Sequence, residues 1–118
     1  VEFHPYLDQS KLFAAATRLG IALSAYCPLA KGRIFGDPVI NALAAKYDRS
    51  EAQIILRWIV QKGVSANPMS TKPENLSANI DAVNFNLSAP DSAAIDRLGK
   101  KGLRIVDKDR MPIAPEWD

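Results

Sequence analysis

The 118-residue chain has a single cysteine and a single histidine. One cysteine excludes an internal disulfide and a multi-cysteine zinc site. Charge of one sign is not in excess: 15 Lys and Arg stand against 13 Asp and Glu, for a net charge of +2. The basic residues are scattered, so the positive field of a nucleic-acid or membrane-surface binder is absent. No apolar run approaches the roughly 20 residues that span a bilayer, and no signal-peptide pattern occurs. Repeats and low-complexity runs are also missing. What remains is average for a globular domain: 47% hydrophobic and 24% charged residues. Such a composition suits a cytoplasmic enzyme or binding domain large enough to bury one core. The chain opens at Val1 without a methionine, and Val1–Phe3 reads as the end of a strand. A fragment of a longer protein is therefore the expectation.

Helix signals are clear. Asp8 is placed to cap a first helix, Leu12, Ala15, Ala16 and Leu19 form its apolar stripe, and Gly20 ends it. Asp37-Pro38 starts a second helix with Ile40, Leu43, Ala44 and Tyr47 on one face. Ser50 caps a third, whose buried stripe is Ala52, Ile55, Leu56, Ile59 and Val60, and Gly63 closes it. A short helix is expected over about Glu74–Ile80. Another starts at Ser88 with Ala94, Ile95 and Leu98 inward. Between them, Ile21–Tyr26 and Val64–Asn67 read as strands, ended by Pro28 and Pro68. Residues 100–118 read as an extended tail.

This alternation implies an α/β fold with parallel strands joined by right-handed crossovers. Three strands cannot close a barrel. A doubly wound sheet usually carries a Gly-rich phosphate loop, and no G-x-G-x-x-G is present. A (β/α)8 barrel needs about 250 residues, so this chain would supply part of one. Enzymes of that architecture place their chemistry at the carboxyl ends of the strands. Tyr26 and Cys27 fall at such an end.

Four ordered motifs make the chain resemble the aldo-keto reductases. Val1-Glu2-Phe3-His4-Pro5 is similar to the family's Val-Glu-Tyr-His-Pro segment, and Ala25-Tyr26-Cys27-Pro28-Leu29 to its Ala-Tyr-Ser-Pro-Leu segment. Ala52-Gln53-Ile54-Ile55-Leu56-Arg57-Trp58 resembles its Ala-Gln-x-x-Leu-Arg-Trp helix, and Pro68 through Asn79 its cofactor loop. The tail, ending Ala114-Pro115-Glu116-Trp117-Asp118, looks most like bacterial enzymes of the diketogluconate-reductase type. The resemblance implies the C-terminal part of a (β/α)8 TIM barrel, about strands six to eight with their helices. Residues 1–118 would then be one segment of a single barrel, with strands one to five absent and acting as its partner.

The implied activity is hydride transfer from NADPH or NADH to an aldehyde or ketone, with the nicotinamide cofactor supplying the hydride. The implied cofactor residues are Tyr26, Cys27, Leu29, Ala30 and Lys31 on the first loop, and Ser70, Thr71, Lys72, Asn75 and Asn79 on the second. Tyr26 would stack on the nicotinamide; its bland alternative is a strand-end aromatic packed under a loop. Cys27 stands where the family has Ser, either as a weak donor to the pyrophosphate or as a small buried side chain. The amides of Leu29, Ala30 and Lys31 would approach phosphate. Met69 replaces the usual Lys, Asn75 the usual Arg and Ala78 the usual Glu, which weakens selection of NADP over NAD. Lys72 is the candidate compensation. Ser70 to Pro73 equally reads as a helix-capping turn. Trp117 either lines a substrate pocket or only anchors the tail.

No catalytic residue is assigned. The family's catalytic Asp, Tyr, Lys and His precede this segment, while His4, Tyr6, Tyr26 and Lys31 match other positions. His4 reads as a hydrogen-bonded structural residue and Trp58 as core. The chain alone is therefore expected to be inactive. A non-enzymatic barrel relative, used for ligand binding or assembly, and an inactive truncated fragment are the alternatives.

Overall fold

The computed structural model describes residues 1–116. Trp117 lies outside them. Helices α1 (Ser10–Arg18), α2 (Pro38–Tyr47), α3 (Glu51–Gln61), α4 (Pro73–Asp81) and α5 (Ala89–Asp96) alternate with strands β1 (Ser24–Ala25) and β2 (Ser65–Ala66). The strands pair in parallel, Ser24 opposite Ser65 and Ala25 opposite Ala66. Glu2 forms a parallel bridge with Tyr26, so the first segment lies on the other side of β1. Three parallel segments thus lie side by side in chain order, as the α/β alternation requires.

The strands are shorter than the apolar runs suggest. Ile21 is 57% exposed. Its amide turns back to the Ala16 carbonyl at 2.9 Å, and the Gly20 amide reaches Thr17 at 3.2 Å. Ile21 therefore belongs to the Schellman closure of α1, which Gly20 permits at φ +67°. The same device ends α3 at Gly63, φ +79°. The β1–β2 ladder continues only as far as Leu23 and Asn67: Ser65 donates to Leu23 and Asn67 to Ala25.

Helix α1 departs from its expected cap and stripe. The cap position is Gln9, whose side chain caps nothing, while the Asp8 carboxylate takes the Ser10 amide at 2.9 Å. Leu12 and Leu19 are exposed, and Ala16 alone on the helix is buried. Phe13 turns toward Phe3, 6.5 Å away, and packs on the core. The contact with that first segment, not the Leu12–Leu19 row, fixes the helix rotation.

Helices α2 and α3 follow the sequence closely. Asp37 caps α2 through the amides of Val39 and Ile40, with Pro38 at its first position. Ser50 and Gln53 form a reciprocal capping box on α3. Helix α3 is buried beyond one stripe: Gln53, Ile54 and Trp58 join Ile55, Leu56 and Ile59. Trp58 stacks on Phe3 at 5.5 Å, confirming it as core. Each fully buried isoleucine there stabilises the fold by about 1.5–3 kcal/mol.

The tail is not simply extended. A 3-10 turn at Arg97–Lys101 follows α5. Leu103 then donates to the Tyr6 carbonyl at 2.8 Å, and Ile105 is buried in the main core. Hydrogen bonds to residues of the first segment draw it back across the molecule. Among the described residues, no helix is long and apolar enough to cross a membrane.

Candidate functional site

Tyr26 follows directly on β1 and is 36% exposed. Its backbone is held on both sides, by the Val1 carbonyl at 2.8 Å and the Phe3 amide at 3.4 Å. That fixes the aromatic face at the strand end. Beyond it the chain turns sharply. Cys27, Ala30 and Lys31 all have positive φ, between +47° and +52°. Left-handed backbone costs a non-glycine residue about 1 kcal/mol or more. Three such residues within five positions are strain held by surrounding structure, a pattern that clusters at functional sites.

The loop spends part of its own donor set. Ala30 donates to the Cys27 carbonyl at 2.9 Å, and Gly32 to Leu29 at 2.8 Å. The Ala30 amide is therefore not available to a phosphate, against the sequence expectation. The amides of Leu29 and Lys31 have no acceptor among the described residues. Cys27 is half-buried, and burial, aided by the Glu2 carboxylate, pushes its thiol pKa up. It is a poor nucleophile and a small packing side chain. Burial and Glu2 likewise raise the Tyr26 phenol.

The second loop follows β2. Met69 is 86% exposed, Ser70 half-buried, and Thr71, Lys72 and Asn75 exposed. Ser70 Oγ accepts the Lys72 amide at 3.2 Å, which shapes the turn but does not cap the helix. Lys72 is the N-cap of α4 and supplies no side-chain cap, so the capping role read for this turn is only partly fulfilled. Asn79 lies two turns along α4, half-buried.

The two loops meet. A cleft of about 500 Å³ is lined by Leu29 and Phe35 from the first loop, Met69 and Ser70 from the second, and Asn75, Ala78 and Asn79 from α4. The start of α3, at Ser50, Glu51 and Ala52, forms its floor. Tyr26 opens instead on a cleft of about 680 Å³ with Glu2, Gln9 and Arg104. Cys27, Ala30, Lys31, Thr71 and Lys72 line neither cleft. Among the described residues, no group of three or more His, Cys, Asp or Glu side chains is placed to hold a metal ion.

Two buried carboxylates hold the surroundings. Asp37 receives the Tyr6 hydroxyl at 2.6 Å, Lys101 Nζ at 2.8 Å and the Val39 amide at 2.9 Å. Burial opposes its charge, but those hydrogen bonds win and lower its pKa to about 2. Glu2 receives His4 Nε2 at 2.9 Å. Burial lowers the pKa of His4, its largest influence, and the Glu2 contact only partly offsets it. His4 is fully buried and hydrogen-bonded, as its structural reading requires.

The structure adds Glu2 and Arg104 to the Tyr26 cleft, and Phe35 and Glu51 to the second, residues that the sequence does not single out as functional. Glu51 was findable as the residue after a cap, since its carboxylate takes the Gly36 amide at 2.9 Å and ties the first loop to α3. Glu2 carried a weaker signal, an acid two residues from the only His. Phe35 carried none.

Comparison with known proteins identifies the family. The family model described as Aldo/keto reductase family matches residues 1–100. Methylglyoxal reductase DkgB of Escherichia coli O157:H7 is 42% identical over 118 residues, covering all of this chain and 43% of that protein. A solved structure named as a 2,5-diketo-D-gluconic acid reductase B superposes with a TM-score of 0.91 at 35% identity, over all of this chain and 42% of its own. A variant of Gox0644 solved in complex with NADPH gives a TM-score of 0.80 at 35% identity, over 83% of this chain and 36% of its own. The chain thus spans less than half the length of these relatives.

Proposed function

The chain belongs to the aldo/keto reductase family, and we propose that it forms the cofactor-holding side of an oxidoreductase acting on an aldehyde or ketone. The first segment, β1 and β2 correspond on this reading to strands six, seven and eight of a (β/α)8 barrel. Residues 1–118 are one segment of that single barrel. The observation that carries the proposal is the 500 Å³ cleft, which joins Leu29 of the first loop to Ser70 of the second and to Asn75 and Asn79 of α4, segments distant in sequence.

The residues fit a nicotinamide dinucleotide. Tyr26 offers a rigid, exposed aromatic face suited to stacking. The Leu29 and Lys31 amides can donate to the pyrophosphate, and exposed Lys72 at the start of α4 offers a positive charge on the second loop for the 2′-phosphate that only NADPH carries. The asparagines Asn75 and Asn79 give the cleft both donors and acceptors. The bound cofactor supplies the hydride. The chain binds and orients it, while the proton donor comes from barrel strands other than these three. The NADPH complex of the Gox0644 variant and the carbonyl substrate in the DkgB name support the same reading.

Selection of NADPH over NADH is weak on this account, because Met69 and Asn75 are uncharged where they line the cleft. Fluorescence titration of both cofactors into the intact protein tests it. Both cofactors are expected to bind. Met69→Lys with Asn75→Arg is expected to tighten NADPH by about 1–2 kcal/mol, roughly five- to thirtyfold, and leave NADH unchanged; solvent exposure of both positions limits the gain. Lys72→Ala should weaken NADPH alone. Failure of the intact protein to bind either cofactor would overturn the proposal.

A further inference from the structure

Glu2 and the returning tail make a contact that cofactor binding does not explain. Glu2 is 2% exposed. Its two carboxylate oxygens receive three N–H groups: Oε1 takes His4 Nε2 at 2.9 Å and the Ile105 amide at 2.6 Å, and Oε2 takes the Val106 amide at 2.9 Å. Two of these donors lie more than a hundred residues away in sequence. Nδ1 of His4 has no hydrogen-bond partner among the described residues, so the ring is oriented through Nε2 and Glu2. Glu2 is also the residue that bridges to Tyr26. Arg104, adjacent to the two anchored residues, lines the 680 Å³ cleft together with Glu2 and Tyr26.

We infer that Glu2 is a positioning residue, a carboxylate latch that fixes the tail at Ile105 and Val106 and thereby holds Arg104 as a wall of the cleft that Tyr26 also lines. The inference rests on the proposed cofactor role of Tyr26 for its catalytic consequence, but not for its structural one. The chemistry favours a carboxylate at this position. Charge-assisted bonds to backbone amides are short and strong, and both oxygens act as acceptors. Glutamine offers one oxygen and sets an NH2 group against a donor amide. The tail would then lose one anchor and gain an unfavourable contact beside the other.

Hydrogen exchange on the intact protein reads the latch directly. In Glu2→Gln, exchange of the segment containing Ile105 and Val106 is expected to rise roughly tenfold or more, as loss of a charge-assisted bond implies. Exchange in α3 should stay unchanged. NADPH affinity should stay within about twofold, while KM for a carbonyl probe, benzaldehyde, rises more than kcat falls. Glu2→Asp keeps both oxygens and should change exchange in the same direction by less, which preserves the test if the glutamine variant folds poorly. Exchange that is unchanged at the tail, or raised throughout the molecule, would overturn the latch. A loosened tail with unaltered KM would overturn its role at the substrate wall. Absence of NADPH binding by the unmodified protein would sink the proposed function instead, and the exchange result would still decide the latch.

Discussion

Replacing Asp37 by alanine is expected to destabilise the protein by about 3 kcal/mol. The carboxylate holds three contacts at once. It caps α2 through Val39 and Ile40, and losing a cap costs about 1 kcal/mol. It accepts the hydroxyl of buried Tyr6, and stranding that donor costs about 1–3 kcal/mol. Its bond to Lys101 adds less, because the lysine side chain is 48% exposed and solvent screens the pair. Asp37→Asn should lose only part of this, since one oxygen still caps the helix. Unfolding in urea gives the comparison, read as a shift of midpoint at constant slope. An alanine variant within 1 kcal/mol of the parent would show that these contacts are not coupled to folding.

The same carboxylate gives a pH dependence of known sign. Its pKa is about 2 in the fold and 3.8 as the ordinary value. The unfolded chain therefore binds more protons between those values. The contribution, about 2 kcal/mol, is present above pH 4 and lost as pH falls through about 2. Asp37→Asn should flatten that part of the acid limb.

Tyr26→Ala is expected to weaken NADPH and NADH alike, by about 1–2 kcal/mol or roughly five- to thirtyfold. Stacking depends on a flat face, so Tyr26→Phe should remain close to the parent. The loss should be the same for both cofactors because the nicotinamide end is common to them, unlike the effect of Met69 and Asn75. Tyr26 is 36% exposed, so truncation also removes partly buried area, and the Tyr26→Phe comparison separates stacking from that packing loss. Equal cofactor affinity in the parent and the alanine variant would remove Tyr26 from the site.

Local signals in the chain carry much of the fold. Asp37-Pro38, Ser50 with Gln53, and Ser88 each start a helix where a side-chain oxygen meets free amides. Gly20 and Gly63 end helices because only their backbone turns left-handed without strain. Such devices act over a few residues, so a linear reading finds them. Long-range contacts are less legible. The exposure of Leu12 and Leu19 depends on which neighbour α1 meets, and the bonds from Ile105 and Val106 to Glu2 join opposite ends of the chain. The site shows the same division. Ser70, Asn75 and Asn79 were readable as one loop, and Leu29 as another. Their meeting in one cleft, and the use of the Ala30 amide inside its own turn, are properties of folded geometry.

A crystal structure of the intact protein grown with NADPH decides where the cofactor lies. The nicotinamide ring is expected on the face of Tyr26, and the adenosine end in the cleft of Leu29, Ser70, Asn75 and Asn79, with phosphate near the Leu29 and Lys31 amides. Cofactor density away from both Tyr26 and that cleft would contradict this placement.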